Sequence, residues 1–204
     1  MMPLPPRTRM LQDEIRKMMS GELYAASDNT ELLERLRLTS ELCHDYNQLR
    51  PSQVEERQAL LRRILGATGQ RFKVMQPFFC DYGFNITIGE DFFANTGLVI
   101  LDEATVTFGD HVFLGPNCGF YTAGHPLDVE RRNAGLQYSL PIVVGDNVWM
   151  GGNVCVMPGV TIGSNTVIAA GSVVAHDIPA GVLAAGNPCR VIRVIDQHPE
   201  EKSS

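Results

Sequence analysis

Apolar residues recur at every sixth position through the C-terminal two-thirds of the chain. One strictly spaced set consists of Val144, Met150, Val156, Ile162, Ile168 and Val174. A second set stands two residues before each of these, at Ile142, Val148, Val154, Val160, Thr166 and Ser172. Neither an α-helix nor an ordinary strand keeps every sixth residue equivalent, whereas a coil of short strands joined by tight corners does. The pattern therefore predicts a parallel β-helix with one face per hexapeptide.

The same spacing extends upstream of this region, and glycines accompany it. The upstream apolar positions are Ile86, Ile88, Phe92, Ala94, Leu98, Ile100, Phe108, Leu114 and Phe120. Glycines follow several stacked positions, at Gly89, Gly109, Gly115, Gly145, Gly151 and Gly163. We expect each glycine to let a corner pass through a backbone conformation that a Cβ would hinder. An antiparallel barrel is the alternative, but its interior period of two gives no six-residue register.

The first ~65 residues follow helical spacing instead. Leucines among charges recur near this spacing from Leu32 to Leu42, and Ser52 with Glu55 matches a capping box ahead of further leucines. We predict three helices, near residues 6–20, 29–47 and 52–66.

Three segments follow from these patterns. The open end of a solenoid must be covered, and a helical cap does this. Whether the helices only cover the coil or also shape a substrate cleft stays open at this point. The predicted segments are a helical segment at residues 1–70, a β-helix at 71–195 and a polar tail at 196–204.

The six-residue register is interrupted once, at residues 123–141, which supply neither stacked aliphatic residues nor corner glycines in phase. We interpret this stretch as a loop extruded from the coil. Long loops on a rigid scaffold are disproportionately functional. His125 stands at the base of the loop, where an imidazole is a candidate general base. The other four histidines, at positions 44, 111, 176 and 198, have settings typical of surface residues.

Charge and composition narrow the function classes. The net charge is -6, and residues 76–204 hold only five of the 17 basic side chains, which argues against nucleic acid as a partner. No Lys or Arg occurs from residue 74 to 130 or from 133 to 189, so an anionic ligand on the coil must use backbone N–H groups, the 131–132 pair, or Arg190 and Arg193. No secretory signal or membrane span is recognisable, so we expect a cytoplasmic protein. The five cysteines, without a CxxC pair, are expected to be small buried residues.

Several linked motifs together resemble the maltose and galactoside O-acetyltransferase family. They are the hexapeptide ladder, YTAGHPLD at residues 121–128, NVWMGG at 147–152 and GNPCRVIR at 186–193. The N-terminal element from Met10 to Tyr24, with the Leu-rich helix after it, resembles the maltose acetyltransferase branch in particular. The resemblance covers residues from about 8 to 195.

This resemblance implies a fold, an assembly and a reaction. The implied fold is a mainly β, left-handed parallel β-helix with an N-terminal helical cap. The implied assembly is a homotrimer with active sites between subunits. The implied reaction moves the acetyl group of acetyl-CoA to a hydroxyl of a sugar-like acceptor, without a metal. The residue matching the family's base is His125, which removes the hydroxyl proton before the oxygen attacks the thioester. What orients its ring cannot be read from the sequence.

The resemblance also implies binding residues. Those matching the acetyl-CoA site are Trp149, Gly152, Ala170, Ala175, Arg190 and Arg193, with the arginines at the nucleotide end. Those matching the acceptor pocket are Asp81, Asn95 and Glu103. Gly152 and Ala175 replace a serine and a threonine common in relatives, which leaves the Gly152 amide as the donor. Asp81 and Glu103 replace a serine and an aspartate of the galactoside branch, which favours a glucose- or maltose-like acceptor.

Three alternatives remain beside this interpretation. A different small acceptor, such as serine or an aminosugar, suits the same chemistry. A γ-carbonic anhydrase uses the same solenoid but needs three histidines to hold zinc, whereas only His111 and His125 lie in the relevant part of this coil. A non-catalytic solenoid that serves as a binding platform is the third.

Overall fold

The structure, a computed structural model, describes residues 9–25 and 29–196. It begins with helices α1 (Arg9–Ser20), α2 (Thr30–Gln48) and α3 (Val54–Ile64), and a short strand, β1 (Tyr24–Ala25), lies between α1 and α2. These bounds agree with the three predicted helices, although residues 6–8 of the first lie outside the described part. The tail from residue 197, with His198, also lies outside it.

Helix α2 begins after an N-cap residue, whose side chain accepts hydrogen bonds from backbone N–H groups of the first turn that have no carbonyl partner within the helix. The Asn29 Oδ1 accepts hydrogen bonds from the N–H groups of Glu31 and Leu32, both at 3.1 Å. Helix α3 has no such cap: Gln53 precedes it and makes no side-chain capping bond. The capping box predicted at Ser52 and Glu55 is therefore wrong, and α3 depends on packing for its position.

The rest of the chain forms a coil of about six turns, and its strands stack into three parallel faces. The first face consists of β2 (Ala67–Thr68), β5 (Ile86–Ile88), β8 (Val106–Phe108), β13 (Ile142–Val144) and β16 (Thr161–Ile162). The second consists of β3 (Phe72–Val74), β6 (Phe92–Ala94), β9 (Phe113–Leu114), β14 (Trp149–Met150), β17 (Val167–Ile168), β19 (Val182–Ala185) and β20 (Arg190–Val194). The third consists of β4 (Phe78–Cys80), β7 (Leu98–Leu101), β10 (Gly119–Tyr121), β15 (Cys155–Val156) and β18 (Val173–Val174). Among the described strands of these three faces, only β20 runs antiparallel to its neighbour. The first strand of the coil, β2, starts at residue 67, a little before the boundary predicted at residue 70.

The hexapeptide positions fill the interior of the coil, as predicted. Every residue of the two six-residue sets is buried, including Thr166 and Ser172. Upstream, where the side chains are larger, Phe108 packs edge-on against both Phe92 and Phe120, with ring centroids 5.1 and 4.8 Å apart. The repeat thus places one side chain of each strand in a continuous apolar column.

The corner glycines have a different reason from the one predicted. None of the six has a positive φ; the left-handed conformation falls instead on Asp91, His111, Asn117, Asn147, Asn153 and Asn165, and on other glycines. The six are required because successive turns touch there. A Cβ on Gly163, for example, would lie 2.4 Å from the Ala180 nitrogen. The glycine pattern therefore indicates where the corners of successive turns pack closely, and not where the backbone adopts a left-handed conformation.

The helices cover the N-terminal end of the coil, and their side chains donate hydrogen bonds to backbone carbonyl groups of its first turns. The Tyr46 hydroxyl and the Arg57 Nη2 both donate to the Val74 carbonyl, at 2.7 and 3.0 Å. The Thr39 hydroxyl donates to the Tyr82 carbonyl at 3.1 Å. A smaller apolar cluster of Met18, Tyr24, Leu32 and Tyr82 joins the N-terminal segment to the side of the coil.

The predicted extruded loop is an ordered excursion that contains its own structure. It holds β11 (Ala123–Gly124), the short helix α4 (Val129–Asn133) and β12 (Leu136–Ser139), and the coil resumes at Ile142. Strand β12 pairs with β11 on one side and with β1 on the other. The Ser139 hydroxyl donates to the Met18 carbonyl at 2.6 Å, and the Gln137 Nε2 donates to the Tyr24 hydroxyl at the same distance. The excursion is therefore fixed to the N-terminal segment.

The cysteines are free, as expected, and four of the five are buried, with Cys155 half-buried. Cys43 and Cys80 face each other across the junction of α2 and β4, with their sulfur atoms 3.8 Å apart. In the described part of the chain, no helix has the length and apolar character needed to cross a membrane.

Candidate active site

The corner after the third face, called here the third corner, collects the polar residues with candidate chemistry. Strands β4, β7 and β10 lie side by side, and Asp81, the pair Asp102–Glu103, and the excursion with His125 follow them in turn. Because equivalent corners stack along a solenoid, residues 20 or more apart in the chain become neighbours. Of the predicted acceptor residues, Asp81 and Glu103 are thereby brought to the same corner as His125.

His125 is exposed, and one of its ring nitrogens is fixed. The Nδ1 atom lies 3.1 Å from the carbonyl oxygen of Leu136 on β12. A carbonyl only accepts hydrogen bonds, so Nδ1 carries the proton in this contact and the Nε2 atom keeps its lone pair. The excursion thus supplies what orients the ring, which the sequence did not reveal.

A cavity of about 310 Å³ opens beside this imidazole. It is lined by Leu33 and Leu36 of α2, Tyr82 and Glu103 of the coil, and His125, Gly135 and Gln137 of the excursion. Three parts of the chain therefore build one cavity, and the helical segment does more than cover the end of the coil. The two leucines give an apolar wall, and the remaining side chains give hydrogen-bonding groups.

The carboxyl groups of this corner are desolvated. Asp102 is fully buried, and its Oδ1 accepts hydrogen bonds from the N–H groups of Asp81 and Tyr82 at 3.1 and 2.8 Å. Burial raises the pKa of Asp102 to about 7. Burial and the neighbouring Asp81 raise the pKa of Glu103 to about 8, and burial also raises the pKa of Asp81. Both tyrosines beside the cluster, Tyr24 and Tyr82, have a raised pKa because they are buried.

Other predicted site residues lie on the corner after the second face, called here the second corner. Asn95 follows β6, Gly152 follows β14 and Ala170 follows β17. The N–H groups of Gly151 and Asn153 donate to the carbonyls of Ile168 and Pro116, whereas the Gly152 N–H makes no backbone hydrogen bond within the described residues. The structure does not bring this set to His125 within one chain. Ala175 follows β18 and so lies on the third corner, two turns along from His125.

Trp149 and Arg193 share one row on the outer surface of the second face. In register across the strands, Trp149 is opposite Val167, Val167 is opposite Leu183, and Leu183 is opposite Arg193. Three strand spacings of about 4.8 Å separate the tryptophan from the arginine, roughly 14 Å in all. Arg190 is on the same strand as Arg193, and both are exposed.

Two other places in the molecule do not match this chemistry. A cavity of about 340 Å³ lies between α3 and β3, and its described lining residues hold no carboxyl, imidazole or thiol group. His111 is at an exposed corner, with Nδ1 3.6 Å from a carboxylate oxygen of Asp91, and is not part of the His125 cavity. Within residues 9–25 and 29–196, no three His, Cys, Asp or Glu side chains are arranged to hold a metal ion.

Sequence reasoning missed the cavity residues that come from outside the hexapeptide motifs. They are Leu33, Leu36, Tyr82, Gln137 and the Leu136 carbonyl. Leu33 stands out only in the structure, where it is a large apolar residue left 48% exposed on α2. None of these groups carried a signal in the sequence, since their proximity to His125 depends on how the excursion and the helices pack on the coil.

Comparison with known proteins agrees with this architecture. A family model described as the maltose acetyltransferase hexapeptide capping motif matches residues 17–69, and the bacterial transferase hexapeptide model, with six repeats, matches residues 141–176. The galactoside O-acetyltransferase of Escherichia coli is 46% identical over 87% of this chain and 87% of its own length.

Solved structures show the same likeness. A maltose O-acetyltransferase from Clostridium difficile has a TM-score of 0.88 and 45% identity, covering 90% of this chain and 98% of its own. A galactoside acetyltransferase in complex with coenzyme A has a TM-score of 0.86 and 43% identity, covering 91% of each chain.

The coil and its capping helices thus define a hexapeptide-repeat transferase. The chain belongs to the maltose and galactoside O-acetyltransferase family and is an acetyl-CoA-dependent O-acetyltransferase.

Proposed function

We propose that this enzyme transfers the acetyl group to a hydroxyl of a sugar acceptor, glucose- or maltose-like, with His125 as the general base. The observation that carries the proposal is the Nδ1 contact of His125 with the Leu136 carbonyl at the rim of a cavity that also holds Glu103. This contact leaves Nε2 free to accept a proton at the point where an acceptor hydroxyl would lie.

Acetyl-CoA supplies the acetyl group, which passes from its sulfur to the acceptor oxygen. His125 Nε2 takes the proton from the hydroxyl as that oxygen forms its bond to the carbonyl carbon, and returns it to the departing sulfur. Such a base contributes roughly 10²–10⁴-fold to the rate. The Gly152 N–H is our candidate for stabilising negative charge on the carbonyl oxygen, because its hydrogen-bonding capacity is not used by the coil.

The cavity suits the mixed surface of a pyranose ring. Leu33 and Leu36 would pack against its C–H groups, while Glu103, Gln137 and the adjacent Asp81 would bond its hydroxyls. The names of the relatives, maltose and galactoside O-acetyltransferase, support a sugar as the acceptor class. Serine or an aminosugar remains the alternative that an acceptor screen would separate.

The outer row of the second face supports the proposed acetyl-CoA site. It joins an apolar stretch, from Trp149 to Leu183, to a cationic end at Arg193 and Arg190. A pantetheine chain and a nucleotide with phosphates need these two kinds of surface. Gly152 and Ala170 flank this row on the second corner, and Ala175 is assigned to the same ligand.

We also propose a homotrimer in which neighbouring subunits complete each site. Within one chain, His125, Glu103 and Asp81 are on the third corner, whereas Gly152 and Ala170 are on the second. Direct transfer requires both groups around the same reacting atoms. Packing the third corner of one subunit against the second corner of the next would bring them together, and Asn95 would then join the acceptor pocket from the neighbour.

The proposal is tested by the His125→Ala variant, assayed by release of free CoA with a panel of sugars, serine and aminosugars. We expect kcat to fall by at least ~10² with little change in acetyl-CoA binding. His176→Ala is the matched control, because His176 is an exposed histidine outside the cavity. Near-wild-type turnover by His125→Ala would contradict the role of the imidazole, and CoA release that does not depend on a sugar would contradict the acceptor class.

A further inference from the structure

A buried positive charge lies in the cavity between α3 and β3, which the proposed reaction does not use. Arg57 of α3 lines this cavity of about 340 Å³, and its exposed fraction is only 9%. An arginine keeps its proton, so this side chain is a permanent cation. The described lining residues of this cavity and of the His125 cavity do not overlap. The charge therefore belongs to a separate place in the molecule.

The hydrogen-bonding capacity of this guanidinium group is only partly used. Its Nη2 atom donates to the Val74 carbonyl at 3.0 Å and to the Tyr46 hydroxyl at 3.4 Å. Its Nε atom is buried and has no hydrogen-bond partner among the described residues. A buried N–H donor without a partner costs free energy, and folded proteins contain few of them. The Nε–H group therefore points to a ligand that carries an acceptor atom.

No carboxylate neutralises the Arg57 charge. Within the residues that the structure describes, Arg57 forms no ion pair, and the residues lining the cavity include no acid. Lys73, which is exposed on β3, adds a second positive charge to the same lining. The Tyr46 ring, with its centroid 5.7 Å from the guanidinium carbon, compensates part of the Arg57 charge. A buried cation is costly unless it is paired, so the cavity favours an anion.

The beginning of α3 adds to the positive potential of the cavity. Pro51 and Val54 line the cavity, and Val54 is the first residue of the helix. No side chain caps this end, since Gln53 makes no capping hydrogen bond. Uncapped N–H groups and the helix dipole favour an anion near a helix N-terminus. Glu55 and Glu56 of the same turn are exposed and are not among the described lining residues.

The rest of the lining is mostly apolar and favours an apolar body in the ligand. The apolar side chains are those of Val54, Leu61, Phe72, Val74 and Met75. The volume is at the lower end of the range of small-molecule pockets, roughly 300–1,000 Å³. A sugar phosphate would place hydroxyl groups against this apolar wall, whereas a hydrocarbon chain or ring would pack against it. The ligand that fits is a small molecule with one anionic end.

We infer that the cavity between α3 and β3 is a second ligand site, which binds a monocarboxylate with an apolar chain or ring. The carboxylate accepts a hydrogen bond from the Arg57 Nε–H group, and Lys73 provides a second cation near it. The apolar body packs against Leu61 and Phe72. Because the cavity lies between a helix of the cap and the first turn of the coil, the bound ligand also holds α3 against the coil. The inference does not depend on His125 or on the acceptor.

The experiment compares octanoate with 1-octanol, its neutral counterpart, by isothermal titration calorimetry on the full-length enzyme. CoA at saturating concentration keeps the acetyl-CoA site occupied during the titration. We expect octanoate to saturate one site per chain and to bind at least ~10-fold more tightly than octanol, since only the anion can pair with Arg57. Inorganic phosphate should bind at least ~10-fold more weakly than octanoate, because it has no apolar body.

The Arg57→Gln variant removes the charge but keeps an N–H donor for the Val74 carbonyl. It should weaken octanoate binding at least ~10-fold and leave octanol binding within ~3-fold of the wild type. Arg62→Gln is the matched control, because Arg62 is on the same helix and outside the described lining of the cavity. Its guanidinium carbon is 4.9 Å from the centroid of the Phe72 ring, so the control also removes a cation beside the same aromatic residue. Octanoate should bind to Arg62→Gln with the wild-type affinity.

A second pair of variants changes an exposed residue, so it decides the question even if Arg57→Gln does not fold. Val54 is 55% exposed where it lines the cavity. Val54→Glu adds a negative charge beside the proposed carboxylate, and Val54→Gln is its neutral counterpart of the same shape. The glutamate variant should bind octanoate at least ~3-fold more weakly than the glutamine variant, while both bind octanol alike.

Three results would overturn the inference. One is octanol binding as tight as octanoate binding, which would show an apolar cavity without an anion site. Another is octanoate affinity that is the same in Arg57→Gln and the wild type, or the same in the two Val54 variants. The third is the lack of saturable octanoate binding at millimolar concentration. These measurements need no turnover, so the site and the proposed reaction fail or succeed separately.

Discussion

At the scale of residues, the surroundings of two arginine pairs distinguish them as possible partners of an anionic ligand. Beyond residue 73, the basic residues of the described chain are Arg131 and Arg132 on α4 and Arg190 and Arg193 on β20. Arg132 Nη1 donates to the Leu127 carbonyl at 3.2 Å, within the excursion itself. Arg193 instead ends the apolar row that begins at Trp149. The two pairs thus carry the same charge, but one lies in the excursion and the other lies at the end of the apolar row on the second face.

The double variant Arg190→Ala with Arg193→Ala should raise the KM for acetyl-CoA by at least ~10-fold and the KM for the acceptor far less, since charged hydrogen bonds to phosphate would be lost. Steady-state kinetics with each substrate varied in turn measure this. The matched control is Arg131→Ala with Arg132→Ala. Equal effects on both KM values, or a larger effect on acetyl-CoA from the control, would contradict a nucleotide-end role for the β20 pair.

The sequence singled out His125 as a candidate, but it did not show which groups surround its side chain. The break in the six-residue register pointed to His125, because a histidine at the base of an excursion is unlike the surface histidines elsewhere. Its partner is a backbone carbonyl at Leu136, and no pattern of side chains encodes a backbone contact. Leu33 and Gln137 reach the same cavity from α2 and β12. That convergence depends on tertiary packing.

At the scale of elements, close stacking of the corners controls the stability of the coil. A Cβ on Gly163 would meet the Ala180 nitrogen at 2.4 Å and its Cα at 2.7 Å, and both are backbone atoms that cannot move aside alone. Gly171 is the opposite case: its φ is +72°, and a Cβ there would meet nothing within 4 Å. Gly163 is therefore required because there is no room for a Cβ, whereas Gly171 is favoured because of its positive φ.

Gly163→Ala should destabilise the coil by about 1–3 kcal/mol through overpacking, whereas Gly171→Asn should be close to neutral. Asparagine already has a positive φ at other corners, at Asn117, Asn147, Asn153 and Asn165. Chemical unfolding of both variants beside the wild type measures the difference. If Gly171→Asn proved the more damaging of the two, crowding would not be the reason for the glycine at position 163.

The elements themselves followed well from periodicity, with one informative failure. A solenoid repeats the same environment every six residues, so the buried positions could be read directly, and the leucine spacing gave the helices to within a few residues. The Ser52 capping box failed because α3 begins one residue later, at Val54, after Gln53. The internal strands of the excursion carry no repeat, so only their departure from the register was visible.

For the whole molecule, the outer surface of the coil argues for assembly. Phe113 and Trp149 are 46% and 57% exposed in one row, and Phe79 on the third face is 49% exposed. Large apolar residues aligned on the outer faces of a rigid coil are typical of surfaces buried between subunits. The proposed site residues are divided between the second and third corners, which also indicates that neighbouring subunits complete each site.

Light scattering should give a mass three times that of the 22.5 kDa chain. A complementation experiment tests whether the site is shared: His125→Ala and the Arg190→Ala/Arg193→Ala variant are co-expressed with different tags, and the mixed species are purified. If each site uses the third corner of one subunit and the second face of the next, one of the three sites in every mixed trimer is intact. Mixed species no more active than the two parents at low acetyl-CoA would contradict sharing, as would a monomeric mass.

The anchoring of the excursion also affects the order in which the enzyme becomes competent. The Gln137 and Tyr24 side chains that join across this anchor are 113 residues apart in the chain, and Ser139 and Met18 are 121 apart. The coil can form turn by turn, because adjacent repeats contact each other. The Leu136 carbonyl that contacts His125 is expected to be fixed later, when the N-terminal segment packs against the folded excursion. Proteolytic loss of the first helix should therefore leave the stacked turns of the coil intact while removing the contacts that anchor the excursion, and with it the proposed alignment of His125.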